Sequence, residues 1–206
     1  MVSARQALDR LREGNRRFAS NVKADAKRIG QRPAEVADRQ EPFAIILGCS
    51  DSRVPAEIIF DQGLGDLFVI RVAGNIVAPS QIGSVEFAAT TFGTRLVVVL
   101  GHSRCGAIEE TMKQLQEPSG NRSRNLRSIV DFVRPSVESL LAQGLGDDPD
   151  EVIEKAVRSN VRASAEHMRH GSEILEELER EQGLVIVGAE YSLETGLVDF
   201  FDGVPQ

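Results

Sequence analysis

The two cysteines of this chain each lie in a short motif that contains other metal-binding side chains. Cys49 begins the segment Cys-Ser-Asp-Ser-Arg at 49–53, and Cys105 ends His-Ser-Arg-Cys at 102–105. Two thiolates and one imidazole suit zinc, and three protein ligands leave a fourth position open for catalysis. The pattern therefore predicts a zinc site formed by Cys49, His102 and Cys105.

Four short apolar segments predict buried strands, with helical patterns between them. The segments are Phe43–Leu47, Leu67–Arg71, Leu96–Leu100 and Leu184–Val187. Most lack alternation, which is typical of parallel strands that helices cover on both faces. Alternating strands and helices indicate an α/β fold with a mainly parallel sheet flanked by helices, and Gly196–Phe200 is the candidate for an extra edge strand.

Local signals also predict the helices. Ser3 and Gln6 form a capping box for an N-terminal helix, which Gly14 is expected to weaken because glycine has a low helix propensity. The polar segment Glu117–Ser128 predicts a surface loop. The other predicted helices are Ala56–Phe60, Ile82–Phe92, Ala107–Leu115, Val152–His170 and a last helix through Glu181, which begins after Gly171 and Ser172.

The strand predictions bring the two motifs together. Cys49 follows the first predicted strand and His102 follows the third, and ligands of open parallel sheets bind beyond the carboxyl ends of strands. Gly101 and Gly106 are expected to permit a tight turn there. Taken alone, a free cysteine is more often a small buried hydrophobe, and neither motif is the C-x-x-C of a redox dithiol. The sequence does not decide between this interpretation and a structural zinc site in which Asp51 is the fourth ligand.

Composition excludes several classes of function. The chain has 206 residues, a net charge of −7 and 41% hydrophobic residues, which predicts one soluble globular domain over 1–206. Within this domain, residues 1–40 are expected to form a helical arm that packs on the core or on a partner subunit. Nucleic-acid binding needs a basic face, and no apolar segment approaches the roughly 20 residues of a membrane span. The charged N-terminus and the two distant cysteines predict a reducing cytoplasm.

The chain resembles the β-class carbonic anhydrases through its motifs at 49–53 and 102–105. The resemblance continues through 56–61, 68–75, 83–88 and 188–191 and takes in the N-terminal helix, so that it covers most of the chain. It implies reversible hydration of carbon dioxide to bicarbonate and a proton by zinc-bound hydroxide. It also implies a homodimer or homotetramer, between which the sequence does not decide.

The resemblance assigns roles to individual residues. Asp51 and Arg53 correspond to a catalytic dyad, in which the arginine holds the carboxylate off the metal; in a closed state Asp51 becomes the fourth ligand. The implied zinc ligands are Cys49, His102 and Cys105. The implied substrate-binding residues are Gln40, Phe68, Phe87 and Gly106.

Some members of this family carry a bicarbonate inhibition site of Trp, Arg and Tyr. Arg71 and Tyr191 occupy the matching positions here, but Ile46 stands in place of the tryptophan. We therefore expect little bicarbonate-linked cooperativity, and hydrogen bonding in the core or at an interface as the role of Arg71 and Tyr191.

Two other functions stay open. The same fold and metal could hydrolyse a related heterocumulene, such as carbonyl sulfide or carbon disulfide. Alternatively, Asp51 could close the zinc site permanently in a non-catalytic protein, although the adjacent Arg53 argues against this.

Overall fold

A sheet of five strands forms the centre of the protein. The computed structural model describes residues 2–21, 36–116, 123–142 and 149–205. The strands within these ranges are β1 (Ala44–Gly48), β2 (Leu67–Arg71), β3 (Leu96–His102), β4 (Val185–Tyr191) and β5 (Val198–Asp202). Their order is β2-β1-β3-β4-β5; the first four are parallel and β5 is antiparallel to β4. The predicted α/β sheet with an extra edge strand is confirmed.

The observed strands differ from the predicted ones mainly at their ends. β1 begins at Ala44 rather than at Phe43, whereas β2 has the predicted bounds. β3 continues through His102, which is therefore the last residue of a strand and not the residue after one. Every residue of β1 and β3 is buried, as expected for strands covered on both faces.

Helices connect these strands and cover the sheet. In the described ranges they are α1 (Ala4–Ala19), α2 (Ala56–Ile59), α3 (Pro79–Thr91), α4 (Gly106–Gln116), α5 (Arg124–Ala142), α6 (Pro149–His170) and α7 (Glu173–Gln182). The predicted caps are present: the Ser3 hydroxyl accepts from the backbone N–H of Gln6, and the Ser172 hydroxyl accepts from that of Leu175. None of these helices is long and apolar enough to cross a bilayer.

The prediction of a surface loop over Glu117–Ser128 is wrong where the structure describes it. Residues 117–122 lie outside the described ranges, but α5 begins at Arg124. Pro135 lies inside this helix, and its presence together with the polar first turn obscured the helical periodicity. The apolar stripe that could have revealed the helix is buried: Val130, Val133 and Val137.

Alternate residues of the strands face two helical layers. α1 and α2 pack on one face through a cluster that includes Leu8 and Phe60. α3, α6 and α7 pack on the other through a cluster that includes Met168 and Leu175. The sheet is therefore closed on both faces, which leaves its carboxyl edge as the place where polar side chains can meet.

Gly14 and Asn15 fasten α1 to the core, and the helix continues past them to Ala19. A Cβ atom at position 14 would overlap the carbonyl oxygen of Phe60, so only glycine permits this approach. The Asn15 side-chain amide donates to the carbonyl of Gly196 at 2.9 Å and accepts from the N–H of Val198 at 2.8 Å. The helix thus docks on its own chain, on α2 and on the start of β5.

Candidate metal centre

Cys49, His102 and Cys105 converge at the carboxyl edge of the sheet. β1 and β3 are adjacent and parallel, with Gly48 opposite Leu100, so the residues at the ends of the two strands lie side by side. The two sulfurs and a ring nitrogen of the histidine all lie within 4.8 Å of one another. All three side chains are buried, at 5%, 0% and 1% exposure.

The imidazole of His102 is held in one orientation. Its Nδ1 lies 2.9 Å from the carbonyl oxygen of Ser103, so Nδ1–H donates and Nε2 keeps its lone pair. Nε2 is buried and has no hydrogen-bond partner among the residues described. A ring whose one nitrogen is bonded to a carbonyl while the other faces two sulfurs has the arrangement of a metal ligand.

The two thiols titrate as a pair. A hydrogen bond from Cys105, with another from the backbone N–H of Gly74, outweighs burial and lowers the pKa of Cys49 to about 4. That same hydrogen bond, together with burial and the neighbouring negative sulfur, raises the pKa of Cys105. Two adjacent thiolates repel each other, and a divalent cation removes that repulsion, so the donor set fits a metal.

Asp51 lies beside this cluster and is held by Arg53. Nε and Nη2 of Arg53 donate to Oδ1 and Oδ2 at 2.9 and 2.8 Å, and the Arg53 backbone N–H donates to Oδ1 at 2.9 Å. The side-chain hydrogen bonds of Arg53 hold the pKa of Asp51 well below its ordinary value. The carboxylate is therefore ionised at neutral pH, with Oδ2 at 3.9 Å from Nε2 of His102.

Arg71 supports the loop that carries Cys49 and Asp51. Its Nε donates to the carbonyl of Cys49 at 3.1 Å, and its Nη2 donates to the carbonyl of Asp51 at 2.6 Å. Arg71 ends β2 and lies opposite Gly48 of β1, which places its guanidinium beside the loop. The hydrogen bonds predicted for this residue therefore go to the backbone of the candidate site.

The segment 102–105 turns sharply between its two candidate ligands. Arg104 has a φ of 51°, in the left-handed region that residues with a side chain rarely adopt. The expectation that Gly101 and Gly106 provide the turn is wrong, because neither has a positive φ. A Cβ atom at Gly101 would collide with Val161 of α6, so that glycine serves close packing.

One residue in contact with this segment was missed by sequence reasoning. Glu194 accepts a hydrogen bond from the Ser103 hydroxyl and forms an ion pair with Arg104. Since Glu194 and Ser103 are 91 positions apart, no local pattern could have connected them.

Comparison with known proteins decides the family. A family model described as carbonic anhydrase matches residues 44–198, which include both cysteine motifs. "Carbonic anhydrase 2" of Mycobacterium tuberculosis is 39% identical over 189 residues, which cover 90% of this chain and 87% of that protein. The chain belongs to the β-class carbonic anhydrases. That family is the one the motifs resemble, and its members are lyases.

Solved β-carbonic anhydrases share the fold. The chain superposes on an enzyme of Aspergillus fumigatus with a TM-score of 0.76 at 24% identity, over 93% of this chain and 89% of that one. One of two β-carbonic anhydrases of Sordaria macrospora, described as tetrameric, gives 0.75 at 23% identity, over 92% and 93%. The sheet order and helical layers described above are therefore those of the family.

The four substrate-binding residues expected of a β-carbonic anhydrase are not together in one chain. Gly106 directly follows the third candidate ligand and begins α4. Gln40 is exposed and precedes β1, at the opposite edge of the sheet. Phe68 lies opposite Ile45, near the amino end of β1 and about 10 Å from its carboxyl end at about 3.3 Å per residue. Phe87 of α3 contacts the Phe68 ring, with centroids 6.1 Å apart.

Proposed function

We propose that this β-carbonic anhydrase catalyses the zinc-dependent, reversible hydration of carbon dioxide to bicarbonate and a proton. One observation carries the proposal: two sulfurs and an imidazole nitrogen, which has no hydrogen-bond partner in the described part of the chain, converge within 4.8 Å. The oriented carboxylate of Asp51 beside them supports it. The family match supports the same activity.

The three donors suit zinc better than other common cations. Thiolates select zinc over magnesium and calcium, which prefer oxygen ligands. Three protein ligands at the end of two strands also leave one position for a reacting molecule, as in catalytic zinc sites. Held by Cys49, His102 and Cys105, zinc would supply a Lewis acid that makes a water molecule nucleophilic near neutral pH.

Asp51 and Arg53 would compensate for the weaker acidification of water that is expected of a metal site with two thiolates. Two negative sulfurs offset the charge of a divalent cation, so they leave less of it to acidify a water molecule. The ionised carboxylate of Asp51 can accept a hydrogen bond from the reacting water and orient its lone pair toward carbon dioxide. Arg53 keeps that carboxylate ionised and in place through two guanidinium hydrogen bonds.

The same pair supports a closed state in which Asp51 is the fourth ligand. Its Oδ2 is 3.9 Å from Nε2 of His102, close to the donors. The Arg53 side chain is 52% exposed, so water can solvate the guanidinium when it releases the carboxylate. As long as Arg53 holds Asp51 through these bonds, the fourth position of a bound zinc ion would be left to a water molecule.

A second copy of the chain would complete the substrate pocket. The rings of Phe68, Phe87 and Phe92 form a cluster, and Phe87 is 52% exposed. This cluster adjoins β2, an edge strand of the sheet. Exposed aromatic side chains beside an open strand edge favour burial in a homodimer or homotetramer. A partner docked there would bring Gln40, Phe68 and Phe87 toward the metal of its neighbour.

A reducing compartment such as the cytoplasm suits this site. Cys49 and Cys105 are free thiols whose sulfurs lie within 4.8 Å of each other. An oxidising compartment favours disulfide formation between such neighbours and would remove two of the three donors.

Stopped-flow hydration of carbon dioxide, on protein of measured zinc content, tests the proposal. We expect about one zinc per chain, turnover at neutral to alkaline pH, and loss of turnover on chelation with recovery on zinc addition. Carbonyl sulfide and carbon disulfide are assayed in parallel, and faster turnover of either would favour a heterocumulene hydrolase. Zinc-replete protein that hydrates no carbon dioxide at any pH would contradict the proposal.

A further inference from the structure

The turn between β4 and β5, residues 192–197, contacts the segment that carries two of the candidate ligands. Oε2 of Glu194 accepts a hydrogen bond from the Ser103 hydroxyl at 2.9 Å. Oε1 of the same carboxylate pairs with Nε of Arg104 at 2.9 Å. One side chain therefore binds both residues that separate the histidine ligand from the second cysteine.

The turn and the segment are also joined through backbone groups. The Ser103 hydroxyl accepts from the N–H of Leu193 at 3.0 Å, and the Ser103 N–H donates to the carbonyl of Tyr191 at 3.0 Å. Ser192 donates its hydroxyl to Oε2 of Glu194 at 3.2 Å. Ser192 thus orients the Glu194 carboxylate within the turn, and the oriented carboxylate contacts the segment 102–105.

The backbone of Arg104 is the part of the segment that needs support. Its φ of 51° is disfavoured for any residue with a Cβ atom. Its carbonyl also accepts from Nη2 of Arg53 at 3.3 Å, which links this backbone to the partner of Asp51. If Arg104 relaxed to an ordinary conformation, the relative placement of His102 and Cys105 would change.

The contacts of Glu194 are too exposed to matter much for global stability. The side chains of Arg104 and Glu194 are 71% and 46% exposed, and surface ion pairs are weak because water and salt screen them. The consequence of these contacts is therefore local. They select one conformation of four residues, two of which are candidate ligands.

We propose that Glu194 is a positioning residue of the metal centre, which preorganises residues 102–105 for metal binding through Ser103 and Arg104. This inference rests on the proposed zinc centre. Loss of an outer contact that orients a metal ligand typically weakens metal binding by about 10- to 100-fold. Glu194 acts through the residues between the ligands, so Glu194→Ala should weaken zinc binding by about 10-fold, the lower end of that range.

Zinc affinity of the full chain, measured by competition with a chromophoric chelator, tests the role. We compare wild type, Glu194→Ala, the double variant Ser103→Ala/Arg104→Ala and the triple variant. The double variant should lose as much affinity as Glu194→Ala, and the triple variant should lose no more, because residues of one network are not additive. The visible spectrum of the cobalt-loaded protein should shift in the same variants.

Glu181→Ala is the matched control. Glu181 pairs with Arg180 near the end of α7, and the two side chains are 53% and 68% exposed. The chain passes from α7 to the amino end of β4, away from the metal centre. Its loss should change neither zinc affinity nor the cobalt spectrum. If Glu194→Ala fails to fold, Glu194→Gln replaces it, since the amide keeps an acceptor for Ser103 and should show an intermediate loss.

The outcomes separate the two proposals. Wild-type protein that binds no zinc would refute the metal centre itself. Wild-type protein that binds zinc tightly, with equal affinity in Glu194→Ala or Glu194→Gln and in the double variant, would overturn the positioning role alone. Additive losses in the triple variant, or an equal loss in Glu181→Ala, would overturn it as well.

Discussion

Arg53 surrounds the carboxylate of Asp51 with three N–H donors, two from its guanidinium and one from its own backbone, although only one residue separates them. The backbone contact does not depend on the arginine side chain. Truncation of Arg53 would therefore leave the carboxylate partly oriented but without its counter-charge.

Arg53→Ala should lower carbon dioxide turnover by about 10- to 100-fold, because Asp51 loses the two bonds that orient it and hold it off the metal. Zinc content should not change, since the three donors are untouched. Stopped-flow assays with metal analysis measure both. Arg134→Ala, which removes exposed ion pairs on α5, is the control and should behave as wild type. Wild-type turnover in Arg53→Ala would contradict the role of the pair.

His102→Ala and Cys105→Ser should each abolish zinc retention, because two remaining donors bind zinc weakly. His170→Ala is the matched control: this histidine is 65% exposed and pairs with Glu166 and Glu176 on the surface. Metal-to-protein ratios after dialysis against a chelator distinguish the variants. Zinc retained in His102→Ala, or lost in His170→Ala, would show that the site lies elsewhere.

Glu190 should make stability depend on pH. It is 7% exposed and bonded to Arg158, while Asp199 and Glu154 lie nearby. Burial outweighs the arginine and raises the pKa of Glu190, so the native state binds its proton more tightly than the unfolded chain. The free energy of unfolding should therefore fall as pH rises from the ordinary glutamate pKa of about 4.3 through the raised value.

Glu190→Gln removes this dependence, because an amide does not titrate. Urea unfolding of metal-free protein between about pH 4 and pH 7 should show wild type gaining stability relative to Glu190→Gln as pH falls. Parallel pH profiles would rule out a raised pKa for this carboxyl.

Gly14→Ala should destabilise the protein by about 1–3 kcal/mol, as overpacking does, because the added methyl overlaps the carbonyl of Phe60. Gly83→Ala in α3 is the control, since a Cβ atom there meets nothing within 4 Å. That change should be neutral or stabilising by about 0.5–1 kcal/mol. Chemical denaturation measures both, and equal effects would mean that α1 does not dock as described.

Phe87→Asp should dissociate the proposed oligomer and lower turnover while zinc stays bound. The charge would enter the exposed ring cluster with Phe68 and Phe92. Phe132→Asp on α5 is the control, because this phenylalanine is also exposed, at 39%, but lies outside that cluster. Sedimentation equilibrium gives the mass of each. An unchanged mass for Phe87→Asp, or equal dissociation of Phe132→Asp, would place the interface elsewhere.

The positions of the candidate ligands could be predicted because they depend on strong local signals. β1 and β3 are dense in apolar residues, and parallel neighbours must present their carboxyl ends at one edge. Cys49 and His102 lie at those ends, so their convergence follows from the pairing of Gly48 with Leu100. α5 was missed because Pro135 interrupts the usual signature of a helix.

The contacts that support the ligands could not be predicted. Arg71 reaches the carbonyl of Cys49 across 22 positions, and Glu194 reaches Ser103 across 91. Such bonds depend on the placement of whole strands and turns, and an exposed arginine or glutamate looks the same in sequence whether or not it has this partner. The left-handed backbone conformation of Arg104 could not be predicted either, because glycine is the residue that ordinarily indicates such a conformation.

Two candidate ligands are close in sequence and the third is distant. In the unfolded chain His102 and Cys105 can still hold a metal weakly, but Cys49 can join them only after β1 has paired with β3. A bound ion would therefore cross-link the two central strands of the sheet. Its retention would report that the middle of the protein is assembled, and its release would be an early sign that this strand pair has opened.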